Sequence, residues 1–574
     1  MAKSFFDCRE FDRCAAVFLP TTPYHYNTPA QDPISPTKLQ STPRSKSESQ
    51  LPKVPKAPPL TAPKKLSQKS LFLALYARYL SGEKRKNEDS ETILGPADGS
   101  VSANKEIPGL LAIMDNYFTA RGGIENTNNS QGWLDYLYGI VLLKNKSEPL
   151  AKQWLLRSVN LNPNNWSAWL ELANMLGSEA ELRDMSADLP QNIMTLFFHL
   201  HTSQELYLQS PEIYDTLAQM QTIFPTSAFL QQQRALLHYH AKDHESAEQA
   251  FETLLQTHPH RLEAMEIYSN LLYVLPNRSK LALLAAAASA TDKFRPETNC
   301  ILGNYYSLLA EHEKAVLHFR RALALDRSYQ AAWTLMGHEY IELKNTQAAI
   351  ESYRRAVDNN RKDYRAWYGL GQGYEMLECY SYSLFYYNRA AALCPNDPKM
   401  WAAVGNAYGK CEKLGSAIQA YKRALLVGSS IETSSSFGSS ANSDPLSHAV
   451  GGALDPQVLY DIALLYERDD NLEEAAAYME LTLAQEDGPD EALGGSSSGG
   501  AEKTGLGVTQ TTSRARLWLA RWCYQCGEWQ RSSELANELC QDGVEVEEAK
   551  ALVRDVRGRL GVLAAEEAGV IREG

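Results

Sequence analysis

The chain has 574 residues, of which 44% are hydrophobic, so it can build either several globular cores or one long repeat array. Its formal net charge is −13, from 69 acidic and 56 basic residues, which argues against a nucleic-acid-binding protein because such proteins usually present a basic face. The longest strongly apolar run, residues 281–290, is too short to span a bilayer, the N-terminus lacks the apolar core of a signal peptide, and the nine scattered cysteines favour a reducing compartment.

The N-terminal part of the chain is predicted to alternate between helices and linkers. Residues 1–19 look like part of a two-helix unit, with its apolar positions occupied by Ala2, Phe5, Cys14 and Phe18. Met1 would stand at position 7 of that unit, so the first helix is expected to lack its opening turns. Residues 20–70 are rich in Pro, Ser and Lys and are predicted to be disordered. Residues 71–131 are predicted to form a helical segment followed by a linker.

The Pro-rich insertion contains Ser/Thr-Pro pairs at Thr22, Thr28, Ser35 and Thr42. These pairs have two interpretations, and the sequence leaves both open. The insertion either carries proline-directed phosphorylation sites or is a solvated linker without modification.

From residue 132 onward the sequence repeats itself with a period of 34. The residues that recur at this spacing are Trp333, Trp367 and Trp401; Gly303, Gly337, Gly371 and Gly405; Tyr306, Tyr340, Tyr374 and Tyr408; and Ala322, Ala356, Ala390 and Ala424. Two repeats with an irregular connection are predicted in residues 132–193. Seven in-register repeats are predicted in residues 194–428, with starts at 194, 228, 262, 296, 330, 364 and 398.

The C-terminal part is predicted to contain two more interruptions. Residues 429–455 and 487–512 are rich in Ser and Gly and are predicted to be disordered. One repeat is predicted between them, at 456–486. Residues 513–560 are predicted to form a C-terminal repeat or capping helices, and residues 561–574 a tail.

This pattern, with Trp, Gly and Tyr followed by Ala, an aromatic ring and Ala, is that of the tetratricopeptide repeat (TPR), a pair of helices. The predicted fold is therefore all-α, a TPR superhelical solenoid of tandem 34-residue helix-turn-helix repeats. Positions 4, 7, 8 and 11 of each unit share one face of its first helix and are predicted to be core. The small residue at position 8 lets the second helix approach closely. Stacked repeats bury a continuous core and leave a concave surface.

Motifs for catalysis or cofactor binding are weak in this sequence. Gly369, Gly371 and Gly373 do not match a phosphate-binding loop, because no strand is predicted before them. The segment "HEYIE" at His338 has Glu342 where a zinc peptidase has its second histidine. The histidines at 238, 240 and 244 and the pair Cys523 and Cys526 lack the partners of a metal site. Since repeats occupy nearly all the ordered length, no enzyme activity, cofactor or metal is predicted.

A second stripe on the first helices, at positions 2, 5, 9 and 12, is predicted to face the groove. Position 9 reads Asn270, Asn304, His338, Gln372 and Asn406, short side chains that can hydrogen-bond an extended peptide, and nearby acids could pair with a basic residue of it. The candidate groove residues are Asn304, His338, Glu342, Gln372, Glu375 and Asn406. The alternative is a solvated helix face, although such a face usually favours Lys, Glu and Arg.

Several segments resemble one known family. "LYARYLSGEK" (75–84), "TLMGHEYIELKNTQAAIESYRRA" (334–356) and "DYRAWYGLGQGYEML" (363–377) are similar to subunit eight of the anaphase-promoting complex, or cyclosome, of the cell-division-cycle family. The resemblance covers residues 1–16, 71–86 and about 132–426. Some of the same segments recur in subunit three of that complex, so another TPR subunit of that type is an alternative.

The resemblance implies a non-catalytic scaffold subunit of a multisubunit ubiquitin ligase that acts in mitosis, in the nucleus and cytoplasm. It also implies assembly with sister TPR subunits, docking of a coactivator's arginine-containing C-box in the groove, and a homodimer through the N-terminal repeats. The incomplete first repeat leaves that homodimer in doubt. A TPR co-chaperone that binds a C-terminal carboxylate is a further alternative, but it would need Lys or Arg at groove positions such as 5, 9 and 13. Position 9 has none, and Lys410 is the only basic residue at position 13 of the four clearest repeats.

Overall fold

The computed structural model describes residues 1–19, 66–91, 103–123, 130–208, 210–435, 454–487, 507–542 and 547–559. All regular secondary structure in these ranges is helical, so the predicted all-α fold class is confirmed. The chain divides into two compact units, Met1–Pro225 and Thr226–Gly574. This division falls inside the stretch that the sequence presents as seven in-register repeats.

The first unit contains ten helices in its described residues. They are α1 (Ala2–Asp7), α2 (Phe11–Ala16), α3 (Gln68–Glu91), α4 (Ile107–Thr119), α5 (Trp133–Lys144), α6 (Glu148–Leu161), α7 (Trp166–Met175), α8 (Glu179–Ser186), α9 (Ile193–Glu205) and α10 (Pro211–Ile223). Its core is formed mainly by α3 to α9 and includes the fully buried Trp169 and Phe198.

The second unit holds the regular repeats. In its described residues the helices are α11 (Ala228–His240), α12 (His244–Thr257), α13 (Met265–Val274), α14 (Arg278–Thr291), α15 (Pro296–Leu308), α16 (His312–Leu325), α17 (Gln330–Glu342), α18 (Thr346–Asn359), α19 (Tyr364–Met376), α20 (Tyr380–Leu393), α21 (Pro398–Lys410), α22 (Leu414–Ser435), α23 (Pro456–Arg468), α24 (Leu472–Asp487), α25 (Gln510–Cys526), α26 (Trp529–Asp542) and α27 (547–559).

Three helices extend past the predicted edges of the disordered segments. Helix α3 begins at Gln68 rather than 71, because the Ser67 side chain accepts a hydrogen bond from the Ser70 N–H and caps the helix. Helix α25 begins at Gln510 rather than 513, because Thr509 and Thr512 form a capping box. Helix α22 continues to Ser435, past the predicted end at 428. Most of the predicted disordered residues, including all four Ser/Thr-Pro pairs, lie outside the described residues.

The small residue at position 8 makes room for a ring on the second helix of the same repeat. A Cβ added to Gly371 would lie 2.5 Å from the Tyr387 ring, and one added to Gly405 would lie 2.7 Å from the Tyr421 ring. At such distances real side chains would have to move apart. The glycine therefore sets how closely the two helices of a repeat approach.

Helix α19 contains two further glycines that serve its contact with the preceding repeat. A Cβ on Gly369 would lie 2.5 Å from the Tyr353 ring of α18, and one on Gly373 would lie 2.8 Å from Ile350 of α18. Tyr353 is fully buried and also touches Gly337 in its own repeat. Each helical glycine costs roughly 1 kcal/mol relative to Ala, and here close packing on both sides of α19 offsets that cost.

A left-handed residue ends the first helix of each regular repeat. Ala310, Lys344, Glu378 and Glu412 have φ between 58° and 60°. The next residue's N–H bonds back to the carbonyl of the tyrosine at position 11, as in Glu311 to Tyr306 at 2.9 Å. This is the pattern of a Schellman cap, which satisfies carbonyls at the helix end and starts the turn into the second helix.

Candidate peptide-binding groove

The first helices α13, α15, α17, α19 and α21 carry the predicted groove stripe of the second unit. Asn304, at position 9, is only 4% exposed. Its Nδ2 donates to Asn270 Oδ1 at 2.7 Å and to Ser269 Oγ at 2.8 Å, both in the preceding repeat. The amide row is therefore linked between these repeats, and both amide hydrogens of Asn304 are already engaged.

His338 is held by its own repeat. Its Nδ1 lies 2.8 Å from the hydroxyl of Tyr353, the ring enclosed by Gly337 and Gly369. Burial, followed by the nearby Arg365 guanidinium, lowers the pKa of His338 to about 4. The imidazole is therefore neutral at pH 7 and acts as a hydrogen-bonding group rather than as a cation.

Glu375 is the centre of a polar cluster that includes another predicted residue, Asn406. The Tyr387 hydroxyl donates to Glu375 Oε2 at 2.6 Å, while Lys410 Nζ at 2.6 Å and Asn406 Nδ2 at 3.2 Å donate to Oε1. The structure thus brings Glu375 and Asn406 together. Of the remaining predicted residues, Gln372 is half-buried on α19 and Glu342 is exposed at the end of α17.

A cavity of about 580 Å³ adjoins this cluster, between α19, α21 and α23. Its lining includes Glu375 and Asn406 together with Asp455 and Asp461, and also cations from α21 and α23. Burial raises the pKa of Asp461, and the Asp455 charge adds to the rise, while a hydrogen bond from Gln457 opposes it. The cavity therefore combines carboxylates with room for a side chain.

A second acidic site, at Glu266 and Glu297, lies on the same stripe at positions 5 and 2 of consecutive repeats. Burial, followed by the neighbouring Glu297 charge, raises the pKa of Glu266 from 4.5 to about 7. Within the described residues, Oε2 of each carboxylate is buried and accepts no short hydrogen bond. Glu297 Oε2 nevertheless lies 3.9 Å from Nε of Arg295, and the Tyr329 hydroxyl interacts with the Glu266 carboxyl. Buried polar atoms usually have hydrogen-bond partners, so the two carboxylates keep hydrogen-bonding capacity that these contacts do not fill.

Of the two residues of this acidic site, the sequence indicated Glu297 and not Glu266. Glu297 stands out as an acid at position 2 of a regular repeat. Glu266 lies in the degenerate repeat that starts at 262, where the Trp and Gly markers of the register are missing. Counting back by 34 from the later repeats places Glu266 at position 5, a groove position. Glu266 could therefore have been found from the repeat period, although no local motif marks it.

Two polar contacts cross the groove between α11 and repeats that come much later in the chain. Lys242 Nζ, just after α11, lies 2.7 Å from Asp397 Oδ1, just before α21. Arg365 Nη2 donates to the Tyr239 hydroxyl at 3.3 Å. The first and fifth repeats of this unit thus meet through their groove-facing sides.

The structure also shows the surroundings of the histidine cluster and of other residues considered as metal ligands. Burial, followed by the nearby Arg365 guanidinium, lowers the pKa of His240 to about 3, so this histidine is neutral at pH 7. Among the residues that the structure describes, no group of three His, Cys, Asp or Glu side chains is placed to hold a metal ion. In those same ranges no helix combines the length and apolar character needed to cross a membrane.

This architecture defines the chain as a TPR solenoid protein. The tetratricopeptide repeat family model matches residues 296–329 and 330–363, the bounds of two units counted from the sequence. The solved structure of the APC/C hetero-tetramer Cut9-Hcn1 aligns over 85% of this chain and 83% of the matched chain, with a TM-score of 0.53 and 15% identity. At that identity the likeness establishes the fold alone.

The resemblance to one TPR family is confirmed by sequence comparison. Residues 1–235 match the family described as anaphase promoting complex subunit 8 / Cdc23. The chain is 39% identical over 245 residues to anaphase-promoting complex subunit 8 of Arabidopsis thaliana, covering 42% of this chain and 40% of that protein. It is 33% identical over 291 residues to anaphase-promoting complex subunit CDC23 of Saccharomyces cerevisiae, covering 41% of this chain and 46% of that protein. The chain thus spans less than half the length of these relatives.

Proposed function

We propose that this chain is a non-catalytic TPR scaffold subunit of an anaphase-promoting complex, of the subunit 8 type. The observation that carries the proposal is the match of residues 1–235 to the subunit 8 / Cdc23 family, continued by a regular TPR array. In this role the chain assembles with other TPR subunits and supports ubiquitin-dependent degradation of cell-cycle regulators, in the nucleus and cytoplasm. The family resemblance also implies a homodimer through the N-terminal repeats.

The groove of the second unit is the proposed docking site for a coactivator's C-box, an extended segment with arginines. The support is chemical. Glu266 and Glu297 each present a buried carboxylate oxygen that accepts no short hydrogen bond, and a guanidinium donates to carboxylate oxygens in a planar fork. The existing ion pair of Glu297 with Arg295 is long, at 3.9 Å. A bound cation also favours the ionised form of Glu266, whose pKa is raised to about 7 in the free protein.

Hydrogen bonding from the stripe would position the peptide backbone. Gln372 and Asn406 lie on this stripe with donor and acceptor groups at the side-chain end. Glu375 is paired with Lys410, so an arginine that binds there must displace or share the lysine. Glu297 has only the longer 3.9 Å contact with Arg295, so the Glu266 and Glu297 site is the stronger candidate for a basic anchor residue.

Affinity purification of the tagged chain from its own cells, with identification of the bound proteins, tests the assembly. Sister TPR subunits and a ubiquitin-ligase core are the expected partners. Recovery of chaperones without those subunits would contradict the proposal and favour a co-chaperone instead.

Fluorescence anisotropy with an arginine-containing C-box peptide tests the groove separately. The double variant Glu266→Gln with Glu297→Gln should bind at least about tenfold more weakly, since each lost charge-assisted hydrogen bond contributes roughly 1.5–3 kcal/mol. The matched control is Glu313→Gln, an exposed acid on a second helix. Equal affinity of the double variant and the control would reject this site while leaving the assembly role intact.

A further inference from the structure

The second helices of the regular repeats present a row of cations on the side away from the groove stripe. Positions 25 and 26 of four consecutive repeats contribute Arg320, Arg321, Arg354, Arg355, Arg389, Lys422 and Arg423. All are exposed except Arg355, which is half-buried. This set is called the outer basic row.

The row is positive on a chain whose formal net charge is −13. Helices α16, α18 and α20 carry six Lys and Arg residues against three carboxylates, and α20 carries no carboxylate. Of the three carboxylates, Glu351 is paired with Arg355 at 2.9 Å. The local charge is therefore opposite in sign to that of the whole chain.

Aromatic rings, rather than acids, hold several of these cations. Arg320 Nη2 donates to the Tyr340 hydroxyl at 2.9 Å, and Arg354 donates to the Tyr374 hydroxyl. The Arg423 guanidinium lies 3.8 Å from the centroid of the Trp401 ring. A ring or a hydroxyl orients a guanidinium without neutralising it, so the row stays available to an anionic partner.

Exposed rings lie in the middle of the row. On α20, Tyr382 is 63% exposed and Phe385 is 52% exposed. The Arg389 guanidinium lies 5.6 Å from the centroid of the Phe385 ring, and Tyr382 stacks on Tyr374 at 5.7 Å. Exposed aromatic residues of this size, bordered by cations, are typical of an interaction surface.

We propose that Tyr382, Phe385 and the flanking cations Arg321, Arg389 and Arg423 form a docking surface for an acidic segment of another protein. Apolar side chains of that segment cover the two rings, and Asp or Glu residues on either side pair with the arginines. The surface lies on second helices and the groove on first helices, so this partner is distinct from the groove peptide. Because the chain is acidic elsewhere, charge complementarity directs the segment to this row.

The test uses the full chain and a fluorescein-labelled peptide in which two leucines are flanked by glutamates. Two double variants probe the rings and the charges separately, Tyr382→Ala with Phe385→Ala and Arg321→Glu with Arg389→Glu. These four side chains are exposed, which favours retention of the fold, and a circular dichroism melt checks this. The control reverses two exposed cations elsewhere, Arg278→Glu with Lys293→Glu.

Each test variant should raise the Kd of the acidic peptide about tenfold, whereas the control should change it less than about twofold. Higher salt should weaken binding to the wild-type chain. Binding of the arginine-containing groove peptide should be unaffected by both test variants, which separates failure here from failure of the groove.

Several outcomes would overturn the proposal. One is the absence of saturable binding, and another is an equal loss in the control, which would indicate unspecific attraction. Tight binding of the matching peptide with lysines in place of glutamates would exclude charge recognition. Effective competition by a single-stranded oligonucleotide would indicate a nucleic-acid surface. Concentration-dependent self-association that the Tyr382→Ala with Phe385→Ala variant abolishes, without an effect on the peptide, would indicate a second copy of this chain.

Discussion

The Glu266 carboxyl links the acidity of the solvent to the stability of the second unit. Burial raises its pKa to about 7, so the folded state keeps the proton at a pH where the unfolded chain, with a pKa of 4.5, has released it. Its contribution to stability is therefore greatest below about pH 4.5 and declines as pH rises to about 7.

The variant Glu266→Gln should remove this dependence. At pH 8 its free energy of unfolding is expected to exceed that of the wild-type chain, because the amide mimics the neutral acid, and the difference should shrink towards pH 5. Urea titrations at a series of pH values measure this, with the exposed Glu313→Gln as the control. A difference that does not vary with pH would show that the carboxyl is already ionised in the fold.

The groove shows what could be inferred from residues alone. The 34-residue register places Asn304, Gln372 and Asn406 on one stripe, because the side-chain direction on a helix follows from position. The register does not show that the Asn304 amide donates hydrogen bonds to Ser269 and Asn270, or that Glu375 is paired with Lys410. Those contacts depend on distances between repeats.

At the scale of helices, the contact between α18 and α19 depends on a ring packed between glycines. Gly369→Ala should destabilise the chain by about 1–3 kcal/mol, because its Cβ would overpack the buried Tyr353 ring. The control is Gly415→Ala in α22, where nothing lies within 4 Å of the added Cβ. There the better helix propensity of Ala should leave stability unchanged or slightly higher.

Thermal melts of the two variants measure this difference. If Gly369→Ala is as stable as the control, the ring must have another position available to it. The role of Gly369 and Gly373 could not be predicted, because in the first helix of a repeat the pattern requires a small residue only at position 8. Their partners, Tyr353 and Ile350, belong to the preceding repeat.

Element boundaries were less predictable than the elements themselves. Between residues 296 and 428 the 34-residue period predicts where each helix begins and ends, because every core position recurs. At the edges of the polar insertions the period stops, and the capping residues determine where a helix begins. Ser67 and Thr509 are ordinary polar residues within segments of similar composition, so their role as caps of α3 and α25 appears only when the hydrogen bonds are located.

At the scale of the whole molecule, the apolar core continues across the insertion that follows α22. Tyr421 and Ala417 of α22 share one cluster with Val458, Ile462 and Leu465 of α23. Cleavage at a protease site introduced between residues 436 and 453 should therefore leave the two fragments associated, and they should co-elute in gel filtration.

Adding Ile462→Asp to the cleaved chain should release the C-terminal fragment, because this fully buried side chain would place a charge in the shared core. Separation of the fragments without that substitution would mean that the covalent link is needed to keep α23 in place. The solenoid fold itself was predictable from the period, whereas the division at Pro225 was not, because the register runs through it unbroken.

The contacts that cross the groove should make the second unit stiffer than a repeat array in which only neighbouring repeats touch. A helical-repeat array stretches like a spring, because each repeat contacts mainly its neighbours. Here the Lys242–Asp397 ion pair and the Arg365–Tyr239 hydrogen bond connect the first repeat of the unit to the fifth. Under tension we expect the array to be stiff until these two contacts break and softer afterwards, and added salt should lower the force at which the ion pair breaks.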